Sequence, residues 1–506
     1  MTQLTDSNYW IDVEVERIDH AIPDGEIIIS SGISPSASYH IGHYPEVLMA
    51  EALAWGLRQL GREVRHIHVV DNMDPLRKRY DFLPEEYEQY VGWPICLVPN
   101  PYGTGSYADH FFTEFQQYFA AMGIVPTEVV KSYEDLYQTG RMSGQIELVL
   151  ERLDVVKQIF AEFGREVAGE WTPVQVKGAD NTFINARPET WDRKAQTIEG
   201  ISYVDGGAKL NWRLDWPARW SVLGVQVEPF NNHEHGAAGG SYDTGRAFSE
   251  RIFNYPAPIP GARYGNVHLG DDTTKMSSSK GNLITPESVL RIIPPSLLRY
   301  FIVRSRPPKN LRFYTDKRLI NLIDEYKQVA AALSRGEEHE FAEAYRFADL
   351  GDSLTVVPFA HLVSVYQAAQ GELDRVMAIL QRSGYEVDES VLAGELIYVQ
   401  NWLDSYAPAE VKFALKQDMP VLDLDESQRK FLAALADSLA PVQEPIEAEW
   451  MHNTIYELKD AQGLTPAEAF STIYQIILGQ DFGPKAGWFL TTLDKDWLIK
   501  RLKLEA

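Results

Sequence analysis

The stretch that decides the fold opens with Glu26-Ile-Ile-Ile-Ser30 and continues into Pro35-Ser-Ala-Ser-Tyr-His-Ile-Gly-His43. The first run is short, apolar and β-branched, which predicts a strand buried on both faces. The glycine, serines and proline that follow it are typical of a turn. From Pro45 apolar residues recur at helical spacing as far as Leu60, and Gly61 lies where a C-terminal cap is expected. The stretch therefore predicts a strand, a turn and a helix that begins at Pro45.

Three residues of this stretch, His40, Gly42 and His43, come just before the predicted helix. A helix N-terminus offers free N–H groups and the positive end of the helix dipole, which together favour phosphate. Gly42 has no Cβ, so a flat base can approach its backbone. The imidazoles of His40 and His43 can donate to phosphate oxygens as negative charge builds up there. We predict that these three residues bind a nucleotide, with the two histidines as catalytic donors; the alternative is that the histidines only cap the helix.

A second stretch, Thr274-Lys-Met-Ser-Ser-Ser-Lys-Gly-Asn282, joins two lysines through small residues. This pattern is typical of a mobile loop that closes over a polyphosphate. Lys275 and Lys280 would then neutralise a leaving pyrophosphate only in the closed site. The alternative is a solvated loop with no chemical role.

The composition limits the class of protein. With 506 residues the chain is long enough for two or three domains, and 45% of the residues are hydrophobic. No apolar run approaches the roughly 20 residues of a spanning helix, and the first residues carry no signal-peptide pattern. A single cysteine, Cys96, excludes internal disulfides and a cysteine-based zinc site. We therefore expect a cytoplasmic protein, and we expect it to be a monomer without membrane partners.

The formal net charge of −25 argues against a protein that coats nucleic acid, although a local basic patch could still bind it. Residues 299–318 form the most basic run, with one acid, Asp316, against seven basic residues: Arg299, Arg304, Arg306, Lys309, Arg312, Lys317 and Arg318. The run is either a nucleic-acid contact or a solvated face.

Four segments follow from the pattern of the chain. Residues 1–98 are predicted to be β-α-β, with a second strand, Glu63–Val70, that ends in Asp71-Asn-Met-Asp74 at the edge where open α/β sheets bind ligands. Residues 99–205 are irregular, with helical stretches near 107–122 and a long helix near 143–164, and are interpreted as an insertion. Residues 206–314 return to the α/β core, with a helix near 244–254 and a strand near 264–269. Residues 315–506 show almost only helical periodicity.

The two short stretches resemble the HIGH and KMSKS signatures of class I aminoacyl-tRNA synthetases. Longer strings are similar to the class I lysyl-tRNA synthetase family and are more specific than the signatures. Three of them are Gly206-Gly-Ala-Lys-Leu-Asn-Trp-Arg-Leu-Asp-Trp-Pro-Ala-Arg-Trp220, Gly224-Val-Gln-Val-Glu-Pro-Phe230 and Asn401-Trp-Leu-Asp-Ser-Tyr-Ala-Pro408. The resemblance covers nearly the whole chain. It implies a Rossmann-type parallel-sheet catalytic domain with an inserted connective region, followed by an all-helical anticodon-binding domain.

The resemblance also implies a reaction and its partners. L-Lysine and ATP, which carries Mg²⁺, would give lysyl-adenylate and pyrophosphate, and the lysyl group would then pass to tRNA(Lys). The KMSKS-like loop would contact ATP through Lys275, Met276, Ser277, Ser279 and Lys280. In the basic run we expect tRNA to meet Arg304, Arg306, Lys309 and Arg312. The alternatives are a paralogue that activates lysine or a related amino acid for another acceptor, and a synthetase-like binding protein without activity.

For the amino acid, the resemblance places Gly32 and Ser34 beside the substrate. It places an aromatic and polar set around the lysine: Trp216, Trp220, His233, His235 and Tyr264. An ammonium group favours a carboxylate with an aromatic wall, and the candidate acids are Glu46, Asp71, Asp74 and Asp243. Each acid could equally be a structural cap. His233 and His235 suggest a metal pair, but no third ligand follows at metal-like spacing, so no metal is expected.

The sequence departs from the family pattern at a few positions. Ala37 and His43 stand where the family often has Gly and Asn, and Ser278 stands where it has a lysine. Residues 174–183 contain no cysteine, so the zinc site that many members carry in the connective region is not expected here.

Overall fold

The computed structural model describes residues 9–165, 167, 171–274, 276, 283–420, 422–443 and 445–505. The chain forms two compact units. The first contains Met1–Val289, Leu298–Phe313 and Glu340–Leu350, and the second contains Leu290–Leu297, Tyr314–His339 and Gly351–Ala506.

The described part of the chain contains twelve strands, all in the first unit. They are β1 Ile27–Ile33, β2 Val64–Val70, β3 Glu128–Lys131, β4 Val174–Lys177, β5 Phe183–Asn185, β6 Thr197–Ile198, β7 Ile201–Ser202, β8 Ala208–Leu210, β9 Val227–Asn231, β10 Ile259–Tyr264, β11 Val267–Leu269 and β12 Leu311–Phe313.

In the described part of the chain, nine α-helices precede residue 314: α1 Trp10–Ala21, α2 Tyr44–Gln59, α3 Tyr107–Gln116, α4 Ser143–Glu151, α5 Leu153–Glu162, α6 Trp212–Leu223, α7 Ser241–Arg251, α8 Pro286–Leu290 and α9 Pro295–Val303. Ten follow it: α10 Arg318–Ser334, α11 Ala342–Ala348, α12 Phe359–Ala368, α13 Leu373–Arg382, α14 Glu389–Ser405, α15 Glu426–Leu439, α16 Ala448–Ala461, α17 Pro466–Leu478, α18 Ala486–Thr492 and α19 Lys495–Leu502.

A parallel sheet of five strands, in the order β10-β9-β1-β2-β3, forms the centre of the first unit. Helix α2 crosses from β1 to β2, as the sequence predicts, and Pro45 lies in its first turn. The helix begins one residue before the predicted start, after a short 3-10 turn at Ile41–His43. The second predicted strand is confirmed as β2. The α/β fold class predicted from the sequence is therefore correct.

A polar cluster holds α2 against this sheet. The Nδ1 atom of His66 lies 2.7 Å from a carboxylate oxygen of Glu51, which belongs to α2. The Ser31 hydroxyl lies 2.8 Å from Nε2 of His66 and 2.8 Å from Nδ1 of His68. All four side chains are buried, and burial lowers the pKa of His68 to about 3. Because Ser31 points to the α2 side of β1, its neighbours Ser30 and Gly32 face the opposite side.

The region 99–205, predicted as an insertion, contains one strand of the central sheet. β3 pairs in parallel with β2, from Glu128 beside Ile67 to Lys131 beside Val70. The rest of the region includes an antiparallel sheet in which β4 pairs with β5 and with β8.

Two predicted elements are divided. The long helix near 143–164 breaks at Arg152, where the backbone leaves helical geometry at φ −121° and ψ 34°. The Arg152 guanidinium there donates to the carbonyls of Arg251 and Ile252, at 2.9 and 3.1 Å, so a tertiary contact at the end of α7 replaces local helix propagation. The strand near 264–269 divides into β10 and β11 at Gly265, where an added Cβ would lie 2.6 Å from the carbonyl oxygen of Lys309.

The regular elements of the second unit that the structure describes after residue 313 are all helices, as predicted. Helices α15 to α19 share one apolar core, which includes Phe431, Leu435, Ile455, Ile473 and Phe489. Among the described residues of the whole chain, no helix is long and apolar enough to cross a membrane. The domain limits at residues 98, 205 and 314 stay predictions.

Candidate active site

A cavity of about 590 Å³ opens at the carboxyl ends of the central strands. Its lining includes most of the residues predicted to contact the amino acid: Gly32, Ser34, Glu46, Asp71, Asp74, Trp216, Trp220, His235 and Tyr264. Gly42 and His43 of the first signature line the same space. Strand ends, the start of α2 and one face of α6 thus meet around one cavity, as parallel α/β sheets favour.

The first signature forms a compact turn. Nδ1 of His40 accepts a hydrogen bond from the Gly42 N–H at 3.1 Å, and the rings of His40 and His43 lie 4.0 Å apart. A neutral imidazole that accepts at Nδ1 carries its proton on Nε2, so Nε2–H of His40 is a donor. An added Cβ on Gly42 would lie 2.8 Å from two atoms of the His40 ring. Gly42 is thus needed to seat the histidine, a role that the sequence did not reveal.

Glu46 lies one turn into α2 and faces the cavity. Its carboxylate accepts a hydrogen bond from the Gly32 N–H at 3.1 Å and another from the Tyr264 hydroxyl. Burial, together with the nearby carboxylates of Glu228 and Glu234, raises the pKa of Glu46 to about 8 despite these bonds. Among the described residues no lysine, arginine or histidine forms an ion pair with it. Glu46 is therefore a half-buried acid in the cavity that has no cationic partner among the described residues.

Asp71 and Asp74 differ from Glu46, because buried cationic side chains of the chain already form ion pairs with them. The Lys209 ammonium lies 2.7 Å from Asp74, and the Arg219 guanidinium lies 3.2 Å from Asp71 and 3.1 Å from Asp215. Burial would raise the pKa of Asp71, but the charges of Arg219 and Lys209 outweigh it and hold that pKa below its usual value. Both acids line the cavity, yet the contacts that they already make favour a structural role.

Sequence reasoning missed Glu228, a buried carboxylate of β9 that also lines the cavity. Both of its oxygens accept from the Trp216 indole N–H, each at 3.1 Å, and the Trp220 indole donates to it as well. Burial raises the pKa of Glu228. Glu228 could have been noticed as an acid within a strand whose residues are all buried, because a buried charge needs a specific partner. Other lining residues that were missed are Arg77, Trp212, Phe230, Asn231 and Glu234.

Two residues predicted to contact the amino acid, His233 and Asp243, are not part of the cavity lining, and neither is His40 of the first signature. Nε2 of His233 lies 2.9 Å from the side-chain oxygen of Asn310. Asp243 accepts from the Gly239 N–H at 2.8 Å, in the turn that precedes α7. The contact of Asp243 suits the structural cap considered for that residue. In the described part of the chain, no group of three or more histidine, cysteine or acidic side chains could hold a metal ion.

Most of the second signature, Lys275, Ser277, Ser279 and Lys280, lies outside the described residues. Met276 is described and buried. The segment before it is anchored by a hydrogen bond between Nδ1 of His268 and the Thr274 carbonyl, at 2.9 Å. Arg312 also anchors this segment, because its guanidinium donates to the carbonyls of Gly270 and Asp272, each at 3.2 Å.

The other residues predicted to contact nucleic acid also belong to the first unit. Arg306 and Lys309 are exposed and Arg304 is half-buried. Arg299, at the start of the basic run, is buried and donates to the carbonyls of Met122 and Phe347, at 2.6 and 2.7 Å, so this residue serves the core.

Comparisons with known proteins agree with this architecture. A family model described as tRNA synthetases class I (K) matches residues 8–352. A lysine–tRNA ligase of Methanosarcina barkeri is 36% identical over 534 aligned positions, which cover 99% of this chain and 98% of that protein. Lysine–tRNA ligase 1 of Methanosarcina acetivorans is 36% identical, with 98% of each chain covered. A lysine–tRNA ligase of Archaeoglobus fulgidus is 34% identical, with 94% of this chain and 96% of that protein covered. The chain belongs to the class I tRNA synthetase family (K).

Proposed function

We propose that this protein is a lysine–tRNA ligase, which activates L-lysine with ATP and transfers it to tRNA(Lys). The observation that carries the proposal is the half-buried Glu46 carboxylate, which has no cationic partner among the described residues and lies in the main cavity. The lysine–tRNA ligases named above, which match over nearly the full chain, point to the same substrate.

The side chain of lysine suits this environment in both its charge and its length. Its ammonium would meet the Glu46 carboxylate beside the Tyr264 hydroxyl, as a charge-assisted hydrogen bond in a site shielded from water. The indoles of Trp216 and Trp220, held in place by Glu228, would form the aromatic wall along the alkyl chain. A glutamate side chain would instead place a carboxylate against Glu46 and Glu228, which is repulsive.

We assign ATP to the turn before α2. Nε2–H of His40, together with His43 and the N-terminus of α2, would stabilise negative charge on the phosphates. The lysine carboxylate would attack the α-phosphate, a new P–O bond would form, and the bond to pyrophosphate would break. Lys275 and Lys280 are proposed to neutralise that leaving group, with Mg²⁺ carried on the nucleotide. A ribose hydroxyl of tRNA would then attack the adenylate carbonyl and release AMP.

The remaining roles extend the same proposal to the rest of the chain. The helical domain, predicted over residues 315–506, would bind the anticodon, and the basic residues Arg304, Arg306 and Lys309 would lie along the tRNA. Arg312 is also a candidate, although it already holds two carbonyls. We further propose that the protein acts in the cytoplasm as a monomer.

The direct test is charging of a tRNA(Lys) transcript with radiolabelled lysine. We expect acid-stable lysyl-tRNA that is lost after mild base treatment, because the product is an ester. Matched reactions without ATP and with a tRNA of another specificity are the controls. Formation of lysyl-adenylate without any charged tRNA would instead support the paralogue that serves another acceptor.

A further inference from the structure

A second cleft in the first unit has no part in the site described above. Its volume is about 420 Å³, and its walls are formed by α1, β10 and the segment after α9: Trp10, Val13, Glu14, Arg17, Asn232, Pro260, Gly261, Ala262, Arg263, Arg306, Pro307 and Pro308. No residue lines both this cleft and the main cavity. We call it the arginine cleft.

The arginine cleft carries a positive charge that the chain does not neutralise. Arg17 pairs with Glu14 at 2.5 Å and also donates to the Pro260 carbonyl at 2.5 Å. The Arg263 guanidinium lies 5.8 Å from the centre of the Phe230 ring. Neither Arg263 nor Arg306 forms an ion pair with a described residue. Two unpaired guanidinium groups in a protein with a net charge of −25 mark a site for an anion.

The chemistry of the walls narrows the class of anion. A guanidinium group presents a fork of N–H donors that matches a phosphate group. Pro307 and Pro308 have no N–H to donate, so they and the rings and methyl groups of Trp10 and Val13 offer an apolar surface next to the arginines. A volume of about 420 Å³ is larger than an inorganic phosphate needs. The cleft thus fits a phosphate that is attached to an apolar ring, as in a nucleotide unit of RNA.

The position of the cleft indicates which RNA it would bind. Arg263 precedes Tyr264 on β10, and successive side chains of a strand point to opposite faces. Tyr264 lines the main cavity and Arg263 lines the cleft, so both sites adjoin the same strand. Asn231, the last residue of β9, lines the main cavity, and the next residue, Asn232, lines the cleft. An RNA held in the cleft would therefore be a near neighbour of the activated amino acid.

We propose that the arginine cleft binds a backbone phosphate of the tRNA substrate through Arg263 and Arg306. This inference depends on the proposed function, because it assumes that tRNA is the acceptor. It adds a defined site, with Arg263 as a contact that does not belong to the basic run.

The test measures tRNA(Lys) binding by fluorescence anisotropy over a salt series, with Arg263→Gln, Arg306→Gln and the double variant. The control is Arg141→Gln, an exposed arginine of the same unit that lines neither cavity. We expect each single cleft variant to weaken binding by about 10-fold at low salt. The slope of log Kd against log salt should fall by about one for each arginine that is removed. Arg263→Lys, which keeps the charge but loses the fork, should keep the slope and bind more weakly than the wild type.

The outcomes separate this inference from the proposed function. The inference would be overturned if the cleft variants had the melting temperature of the control and bound tRNA with the affinity and salt slope of the wild type. Lysine charging by the wild type would in that case still support the proposed function. If inorganic pyrophosphate protected the wild-type cleft from arginine-modifying reagents and tRNA did not, the site would be one for a small anion and the inference would be wrong. If the wild type bound no tRNA at all, the proposed function itself would fail.

Discussion

Among single residues, Glu46 is central to the proposed lysine site, because desolvation raises the pKa of its carboxyl group to about 8. An ammonium ligand favours the ionised carboxylate, so lysine binding at pH 7 must release a proton. Below pH 8 the affinity for lysine should therefore rise by up to about tenfold for each pH unit, and it should level off above pH 8. Calorimetric titration in buffers of different ionisation enthalpy measures both the affinity and the proton release.

Replacing the same carboxylate gives a second test. Glu46→Gln keeps the shape of the side chain but removes the charge, so the KM for lysine should rise by at least about 100-fold, the scale of losing one partner of a buried charge pair. Glu234→Gln removes an exposed carboxylate of the same cavity and is the matched control, with a change of a few-fold at most. Similar KM values for the two variants, with lysine affinity independent of pH, would show that the ammonium binds elsewhere.

The first signature makes a prediction about rate. His40→Ala or His43→Ala should lower the rate of adenylate formation by roughly 100-fold, the scale of losing one donor to a developing charge. Gly42→Ala should cause a similar loss, because its new Cβ would lie 2.8 Å from the ring of His40. Single-turnover formation of adenylate measures this step, with the exposed His20→Ala as the control. Unchanged rates would remove the turn from the ATP site.

At the scale of elements, the buried pair of Lys209 and Asp74 connects β8 to the segment after β2. Lys209→Met would leave Asp74 without its buried cation, and we expect a loss of about 3–5 kcal/mol in the free energy of unfolding. Urea denaturation of this variant and of Lys194→Met, a change at an exposed lysine, provides the comparison. A loss below about 1 kcal/mol would mean that water already screens the pair.

How far the sequence alone predicts the elements depends on the range of the contacts involved. β1, α2 and β2 were predictable because an apolar strand, a turn and an amphipathic helix each leave a local pattern. The break at Arg152 was not, because its cause is a contact with carbonyls 99 and 100 residues away. β3 was missed as part of the central sheet because it is only four residues long.

The candidate site shows the same limit. Most of its lining could be named in advance from the resemblance to a family and from the ends of strands. The pairing of Asp74 with Lys209 joins residues 135 apart, and no spacing rule predicts such a contact. Glu228 was missed for a related reason, since its carboxylate binds indoles rather than a charged partner. Which acids are already paired, and which are available, becomes visible only in the folded chain.

For the whole molecule, the proposed activity has two steps, in which an amino acid is selected and then delivered to tRNA. Amino-acid selection can be tested without the second step. Pyrophosphate exchange into ATP, measured with and without tRNA, reports adenylate formation in the cavity of the first unit.

The most direct measurement is this exchange with each of the twenty amino acids, in parallel for the wild type and Glu46→Gln. The account predicts exchange that depends on lysine alone in the wild type and is lost in the variant. Exchange with a different amino acid, or lysine exchange that Glu46→Gln leaves intact, would contradict the assignment of lysine to this cavity.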